Sequence, residues 1–435
     1  MFARLLHILR DLNALYLNPQ FDGVSRQVYG QPLKRFLRLN LSLCYRVLYH
    51  VLHRGKAVPQ PRTDLLFYAN TVNQMRAMAP LQQAVVAPAL RAGHGVPVDV
   101  PFPMLALHLW GLFLLPFFWL ALPWLQSETR RRVMYFFDGF VLALPASWLA
   151  KRWLGRLQPR VLVQSNDHNP LNRAVLRAAQ SLGITTVYLQ HAPVAAYFPL
   201  LEHDVSLLDG QDALDKYRHA GPPRSRIVLT GPVRLVLSAV PSRAVPAIGV
   251  ATNTIDRLDD VAAMIGVVMA SGDWPIVLRP HPGDARFDEW RRLAERLAVG
   301  FSDSRSEPST QYLGQLQRMI AADCGIHLDA ALLDIESVCC GLLGAGSTDS
   351  YGFVRAGLCP AADSAQALRE WLLRDPAGPS PRQRARYYFA SIGAQNEARV
   401  AEVAAQLLDE LVEGRDIAQN RLIRWQSPGG YFELI

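Results

Sequence analysis

Short apolar runs that break into polar clusters recur along this chain in a fixed order: VLVQSNDHNP (161–170), VYLQHAP (187–193), LDGQDALDKY (208–217), VLRPHPGD (277–284) and AADCGIHLDAALLD (321–334). Each cluster falls where a strand-like run gives way to a helical one. Strands alternating with helices fold as parallel sheets with right-handed crossovers. In such sheets the polar clusters gather at the carboxyl edge, where helix N-termini offer free backbone N–H groups to phosphate. The pattern predicts an α/β chain of two Rossmann-like domains, their parallel sheets facing a central cleft that takes a phosphorylated ligand.

At 435 residues the chain exceeds one typical core and suits two domains with appendages. TDLLFYAN (63–70) reads as a buried strand, followed by a helix over 71–85 and a strand at 96–100. Further strands are predicted at 160–165 and 184–190, with a helix over 169–183 that Gly183 stops. The proline-punctuated stretch 232–247 reads as a linker. AIGVATN (247–253) restarts the alternation, with strands at 275–280, 318–323 and 337–343 and helices over 255–271, 285–298 and 326–335. The expected divisions are a basic amphipathic helical arm (1–60), a first Rossmann-like domain on the acceptor side (61–240), and a second on the nucleotide-donor side (247–385). C-terminal helices (386–435), one of them over 396–412, are expected to pack back on the first domain.

Half the residues are hydrophobic and 19% are charged, which excludes a disordered chain. The net charge of +8 is concentrated near the start, where residues 1–56 hold nine Lys and Arg against Asp11 and Asp22. Leu, Phe, Tyr and Val fill the gaps, as in LKRFLRLNLSLCYRVLYHVLHR (33–54). Basic amphipathic helices of this kind lie on anionic membranes, each cation contributing about 1 kcal/mol. The same pattern also fits a helical hairpin packed on the first domain with its cations solvated. PFPMLALHLWGLFLLPFFWLALPWLQ (101–126) has no charged residue and is long enough to span a bilayer. Pro116 and Pro123 interrupt it, and it falls inside an α/β domain, so the expectation is a buried or half-inserted apolar hairpin over 101–125. That makes the protein monotopic or peripheral on a membrane. Arg10 and Asp11 break the first apolar stretch, against a secretory signal. No nucleic-acid-reading module accompanies the basic arm. The five cysteines form no CxxC pair, so they read as reduced core thiols.

In RPHP, Arg279 and His281 follow a strand, and the two prolines are expected to present both side chains outward. A guanidinium beside an imidazole suits a phosphate leaving group; the plain alternative is a rigid turn. Cys324 and Gly325 precede a helix with His327 and Asp329 in its first turn, a place for an anion and a ribose hydroxyl pair. Asp329 equally suits simple complementation of the helix dipole. Asn253, closing the restart strand, joins this nucleotide-binding set. On the acceptor side, Asp167 is the candidate general base and His191 its competitor. Asx residues before a helix are also common N-caps. Asn166, His168, Asn73, Gln74, and Ser347 and Thr348 of GAGSTDSYGF (344–353) make up the sugar and acceptor set, although that loop also reads as an ordinary turn. No DxD-type triplet or metal-ligand spacing occurs. A reaction without metal or cofactor is therefore expected, with positive side chains and helix dipoles stabilising the leaving group.

The order SNDH, QHA, RPHP and Asp-Cys-Gly-Ile-His is similar to that of bacterial GT-B glycosyltransferases. Within these it resembles capsule and surface-polysaccharide enzymes, namely polysialyl- and sialyltransferase-like proteins and the glycerophosphotransferases of teichoic-acid synthesis. The resemblance covers about residues 63–360. It implies that His281-Pro282 holds the nucleotide phosphate and that the helix start at Cys324–His327 adds a second grip. Many relatives have paired Ser or Thr where this chain has Cys-Gly-Ile-His, which leaves the donor open. The resemblance further implies a metal-independent transfer of a sugar, or a related phosphate-bearing unit, from a nucleotide donor to a lipid-linked or polysaccharide acceptor on the cytoplasmic face of the bacterial inner membrane; direct displacement with inversion is the simpler mechanism for this layout of groups. Its setting would be capsule or lipopolysaccharide synthesis in the cell envelope. A nucleotide-sugar 2-epimerase of the same fold and a non-catalytic membrane scaffold are the alternatives; the epimerase has no use for an apolar segment or a cationic arm.

Overall fold

The computed structural model describes residues 2–53, 62–166, 168–233, 246–343, 349–375 and 378–435, without side chains at 2–4, 20, 23–24 and 27–28. Asp167, Ser347, Thr348 and most of the expected linker lie outside the described residues. The chain divides into two compact units, Met1–Arg234 with Ala394–Ile435, and Leu235–Gly393.

The sheet of the first unit has nine strands. Eight are parallel, and the first seven run in the order Val100–Pro101, Ala89–Gly93, Leu65–Ala69, Val161–Gln164, Thr185–Leu189, Val205–Leu208 and Arg226–Leu229. Counted along the chain this is 3-2-1-4-5-6-7, a doubly wound sheet. Its central strands are apolar throughout because helices cover both faces. One face packs on helices Val72–Ala84 and Val400–Val412, through Met78, Leu81, Leu407 and Leu408. The other packs on Phe2–Leu12, Phe137–Leu157 and Pro170–Ser181, through Leu12, Ala146, Trp153 and Val175.

Three expectations for this unit need correction. The tail beyond the helix Val400–Val412 is a hairpin, Ile423–Gln426 with Tyr431–Leu434, and the second strand extends the sheet beside Arg226–Leu229. The alternation that buries Phe432 and Leu434, and the turn residues Pro428, Gly429 and Gly430, explain why these residues are not helical. The segment 101–125 is not a hairpin. It is one helix, Met104–Ala121, running through Pro116 into a short 3-10 turn at Leu122–Trp124. Proline inside a helix costs about 3 kcal/mol, which the close packing of this helix offsets. Gly111 lies so near the helix Phe137–Leu157 that a Cβ there would come within 2.5 Å of Leu142. Finally, the basic N-terminal segment is built into the unit as helices Phe2–Leu12, Ala14–Leu17, Pro19–Tyr29 and Pro32–Leu52. They bury Leu12, Leu15, Leu39 and Leu43, as in the packed alternative.

The sheet of the second unit has six parallel strands, in the order Gly300–Phe301, Ile276–Arg279, Ala247–Ala251, Leu316–Ala321, Glu336–Cys340 and Ala361–Ala362. Again the order along the chain is 3-2-1-4-5-6. Helices Leu258–Met269, Phe287–Arg296 and Ala365–Leu373 supply Met264, Ile265, Trp290 and Leu368 to its main core.

Candidate functional site

In a doubly wound sheet, ligands bind outside the carboxyl ends of the strands where the strand order reverses. In the second unit that point lies between Ala247–Ala251 and Leu316–Ala321. The first of these strands leads into a tight loop, where Asp256 Oδ2 accepts the N–H of Asn253 at 2.6 Å and Asn253 Oδ1 accepts the N–H of Thr254 at 2.6 Å. Asp256 is fully buried. Burial pushes its carboxyl up to about 6, and the N–H of Asn253 and the charge of Arg286 only partly oppose that rise. Arg286 ties this loop to the next one. It donates to the carbonyls of Asp256 (2.8 Å) and Thr254 (2.9 Å) and pairs with Asp284 at 2.7 Å.

His281 sits at the end of the neighbouring strand Ile276–Arg279, half-buried. Its Nδ1 accepts the N–H of Gly283 at 3.1 Å, so in the neutral ring the proton is on Nε2. Burial lowers its pKa, outweighing the carboxylate of Asp284, and favours that neutral form. Among the described residues, four buried polar atoms along the same carboxyl edge have no hydrogen-bond partner: Thr252 Oγ1, Asp256 Oδ1, Ser304 Oγ and Asp323 Oδ1. Each such orphan costs about 1–3 kcal/mol unless something polar meets it. Their concentration at one sheet edge makes that edge the candidate ligand site.

The other expected members of this set behave differently. Arg279 does not point outward. Its guanidinium is buried, donating to Ser302 Oγ (2.6 Å) and the carbonyl of Glu307 (2.8 Å) over the ring of Tyr312. It braces the loops around His281 instead of offering its fork to an anion. His327 is a core histidine: Nδ1 meets Ser337 Oγ and Nε2 meets the carbonyl of Ala322, each at 2.9 Å. The helix Ile326–Leu332 has seven residues, and its first turn directs position 327 at the strand Glu336–Cys340. Burial pushes the Cys324 thiol up to about 11, so it is protonated and inert. Gly325 has an ordinary helical φ of −59°. Asp329 is half-buried and accepts from Ser309 Oγ at 3.2 Å.

In the first unit, Asn166 Oδ1 accepts the N–H groups of His168 (3.0 Å) and Asn169 (3.2 Å), and Asn169 caps the helix Pro170–Ser181. The His168 ring stacks on Phe198 with centroids 4.5 Å apart. His191 is half-buried beyond the strand Thr185–Leu189, next to Gln190, which accepts the N–H of Asp209 at 2.8 Å. Gln74 is buried and accepts the N–H of Asn70 at 2.9 Å, so it shapes the strand end and cannot reach a ligand. Asn73 is exposed. Sequence reasoning missed Asp256 and Arg286, although NTID after AIGVA carries the signal of a polar loop at a strand end. It also missed Arg46, Asn70, His94 and His108, which line one cavity of the first unit. Among the described residues, no three His, Cys, Asp or Glu side chains come together as metal ligands.

No protein-family model matches the sequence, and no curated protein matches it. In structure the chain is similar to the putative UDP-N-acetylglucosamine 2-epimerase of Listeria monocytogenes, at 10% identity over 82% of this chain and 98% of that one, with a TM-score of 0.54. Weaker likenesses include the calicheamicin glycosyltransferase CalG4 (13% identity, 82% of this chain and 99% of that one, TM-score 0.49) and MurG of Acinetobacter baumannii (10%, 80% and 100%, TM-score 0.44). The fold is GT-B, with two Rossmann-like units.

Proposed function

We propose that the chain is a membrane-docked, metal-independent glycosyltransferase. It moves a sugar, or a related phosphate-bearing unit, from a nucleotide donor to a lipid-linked or polysaccharide acceptor, on the cytoplasmic face of a bacterial inner membrane. The observation that carries this reading is an apolar face on the first unit. Helix Pro32–Leu52 exposes Leu33, Leu37, Leu41 and Leu48, and the helix Met104–Ala121 packed beside it exposes Trp110, Phe113, Phe117 and Leu120. A contiguous apolar surface of this kind marks an interaction site. Lys34 and Arg38 on the first helix add exposed positive charge, the complement of an anionic lipid surface. The stretch Met104–Trp124, at 21 residues, is long and apolar enough to cross a membrane. Its inner side is nevertheless packed on the unit through Leu107, Gly111 and Leu115, which supports docking alongside the bilayer.

In this mechanism the acceptor hydroxyl attacks the anomeric carbon and the bond to the nucleotide phosphate breaks. Asp167 or His191 takes the hydroxyl proton. In the crevice at the sheet edge of the second unit, the charge arriving on the phosphate is met by the Nε2–H of His281. Asn253 shapes that crevice, and Arg279 holds its loops in place.

An epimerase of the same fold is the second reading, suggested by the structural likeness to the Listeria protein. The apolar face weighs against it, since a soluble nucleotide sugar needs no membrane. The orphaned polar atoms weigh against a scaffold. The test is thermal stabilisation by CMP, CDP, UDP and GDP of the wild type and of His281→Ala. One nucleotide stabilising only the wild type supports a donor site at His281, and no response to any of them refutes the transferase. Conversion of UDP-N-acetylglucosamine to its C2 epimer without acceptor selects the epimerase.

A further inference from the structure

In the first unit the strand order reverses between Leu65–Ala69 and Val161–Gln164. A cavity of about 200 Å³ lies against the residues that follow these strands, Asn70 and Asn169. Room of that size holds about six waters. Three further elements bring side chains to it: Arg46 from helix Pro32–Leu52, His94 from the end of strand Ala89–Gly93, and His108 from helix Met104–Ala121. The approach of His94 depends on Gly93. Its φ is +139°, and a Cβ there would fall 1.7 Å from the carbonyl oxygen of Ala69, so no other residue lets the strand end so close.

Four polar atoms of this cavity have no hydrogen-bond partner among the described residues. His108 is 1% exposed, and neither ring nitrogen is hydrogen-bonded. Nδ1 of His94 and Oδ1 of Asn70 are likewise buried and unbonded. The ring of His50 stacks on His108, centroids 5.2 Å apart and 15° from parallel. Arg46 donates to Asp138 Oδ2 at 3.1 Å, which leaves one carboxylate facing an arginine and three imidazoles. Burial first, and then the charge of Arg46, hold His94 at about 4 and His108 at about 3. Both rings are therefore neutral at pH 7, each with an N–H to donate, and a nearby anion reverses the repulsion that keeps them neutral. The remaining wall is apolar, with Met104, Leu107 and Leu142. On its opposite face the helix Met104–Ala121 exposes Trp110, Phe113 and Phe117.

We propose that this cavity binds the phosphate or diphosphate head of an amphiphilic acceptor, whose apolar chain leaves along the helix Met104–Ala121. The inference rests on the acceptor reading above and narrows it to a phosphate-bearing lipid. Donors on Arg46, His94 and His108 fit a phosphate's oxygens, and a free polar sugar has no use for a wall of Met104, Leu107 and Leu142.

Farnesyl diphosphate, inorganic pyrophosphate and farnesol serve as probes, titrated calorimetrically into the full chain in detergent. Farnesyl diphosphate is expected to bind at least tenfold more tightly than either of the others. Arg46→Met and His94→Ala should each weaken it at least tenfold without changing nucleoside diphosphate binding; His94→Asn, at a half-buried position, replaces Arg46→Met where that variant unfolds. Equal affinity for inorganic pyrophosphate overturns the lipid acceptor in favour of a free anion. Farnesyl diphosphate binding that is unchanged in the variants overturns the site. Because nucleotide binding is read separately at His281, farnesyl diphosphate binding without any nucleotide binding sinks the transferase while the head-group site stands.

Discussion

The backbone N–H of Gly283 donates to Nδ1 of His281 across 3.1 Å, and that contact decides which ring nitrogen carries the proton. The outward donor is then Nε2–H on a neutral imidazole. A side-chain amide placed as Gln reaches toward the Nε2 position, whereas Asn reaches only that of Nδ1. A hydrogen bond to a charged group contributes about 1.5–3 kcal/mol, or roughly 10–100-fold in affinity. His281→Ala is expected to weaken nucleoside diphosphate binding by that factor in calorimetry. His281→Gln should recover part of the loss and His281→Asn none. Equal recovery by both would show that Nε2–H is not the binding group.

Asp256 carries a cost to stability with a defined pH signature. Its carboxyl ordinarily titrates at 3.8, and burial moves it to about 6. Between those values the folded chain holds a proton that the unfolded chain has lost, so stability falls as pH rises through that window. Two units correspond to up to about 3 kcal/mol. Asp256→Asn keeps an acceptor for the N–H of Asn253 and removes the charge. It is expected to raise the melting temperature at pH 8, to leave it nearly unchanged at pH 4, and to lower transferase turnover. A melting temperature equally raised at both pH values would assign the gain to packing and not to ionisation.

The parallel α/β alternation of both units was legible because most strands are short apolar runs ending in polar residues, as at Gln164–Ser165 and Arg279–His281; the strand order and the strand Ala89–Gly93, with its Arg91 and Gly93, were not. What the residues do at those ends was less legible. Arg279 and His281 look equivalent in RPHP, yet only the fold reveals that Tyr312, Ser302 and Glu307 surround the first and leave the second at the edge. His327 stands in a helix start that reads as an anion site, but a seven-residue helix turns it onto Ser337. His108 was hidden for the opposite reason: within an apolar run, one imidazole looks like filler until its neighbours from other elements are known. The tail hairpin escaped notice because a strand of four residues gives only two periods of alternation.

The N-terminal helix is held to the first unit by charge as well as by Leu12. Asp11 Oδ1 lies 2.8 Å from Arg173 and 2.6 Å from Arg177, and Glu202 Oε2 bridges the same two arginines at 2.9 and 2.6 Å. Burial by itself would raise the Asp11 pKa, but the hydrogen bond from Arg177 and the charge of Arg173 prevail and hold it at about 2. The contribution of Asp11 is therefore present above pH 3.8 and is lost as pH falls toward 2. Asp11→Ala removes one of the two carboxylates paired with the buried Arg173 and should cost about 2–3 kcal/mol at pH 7. Urea unfolding at pH 7 and at pH 2.5 checks this, with the difference from wild type shrinking at the lower pH.

The apolar face makes a prediction that separates docking from folding. Trp110, Phe113 and Phe117 are 47%, 63% and 62% exposed, so replacing all three by Ser removes little buried surface and should leave the melting temperature within a few degrees. On a bilayer the same three side chains would enter the interface, each adding about 1–2 kcal/mol from newly buried apolar area. The triple variant is therefore expected to lose at least a hundredfold in partitioning onto phosphatidylglycerol-containing vesicles, measured by co-sedimentation. Cations such as Lys34 and Arg38 add an electrostatic share that 0.5 M salt screens, so binding of the wild type should weaken with salt and not vanish. Undiminished vesicle binding by the triple variant would remove the observation on which the membrane reading stands and return weight to a soluble enzyme of the same fold.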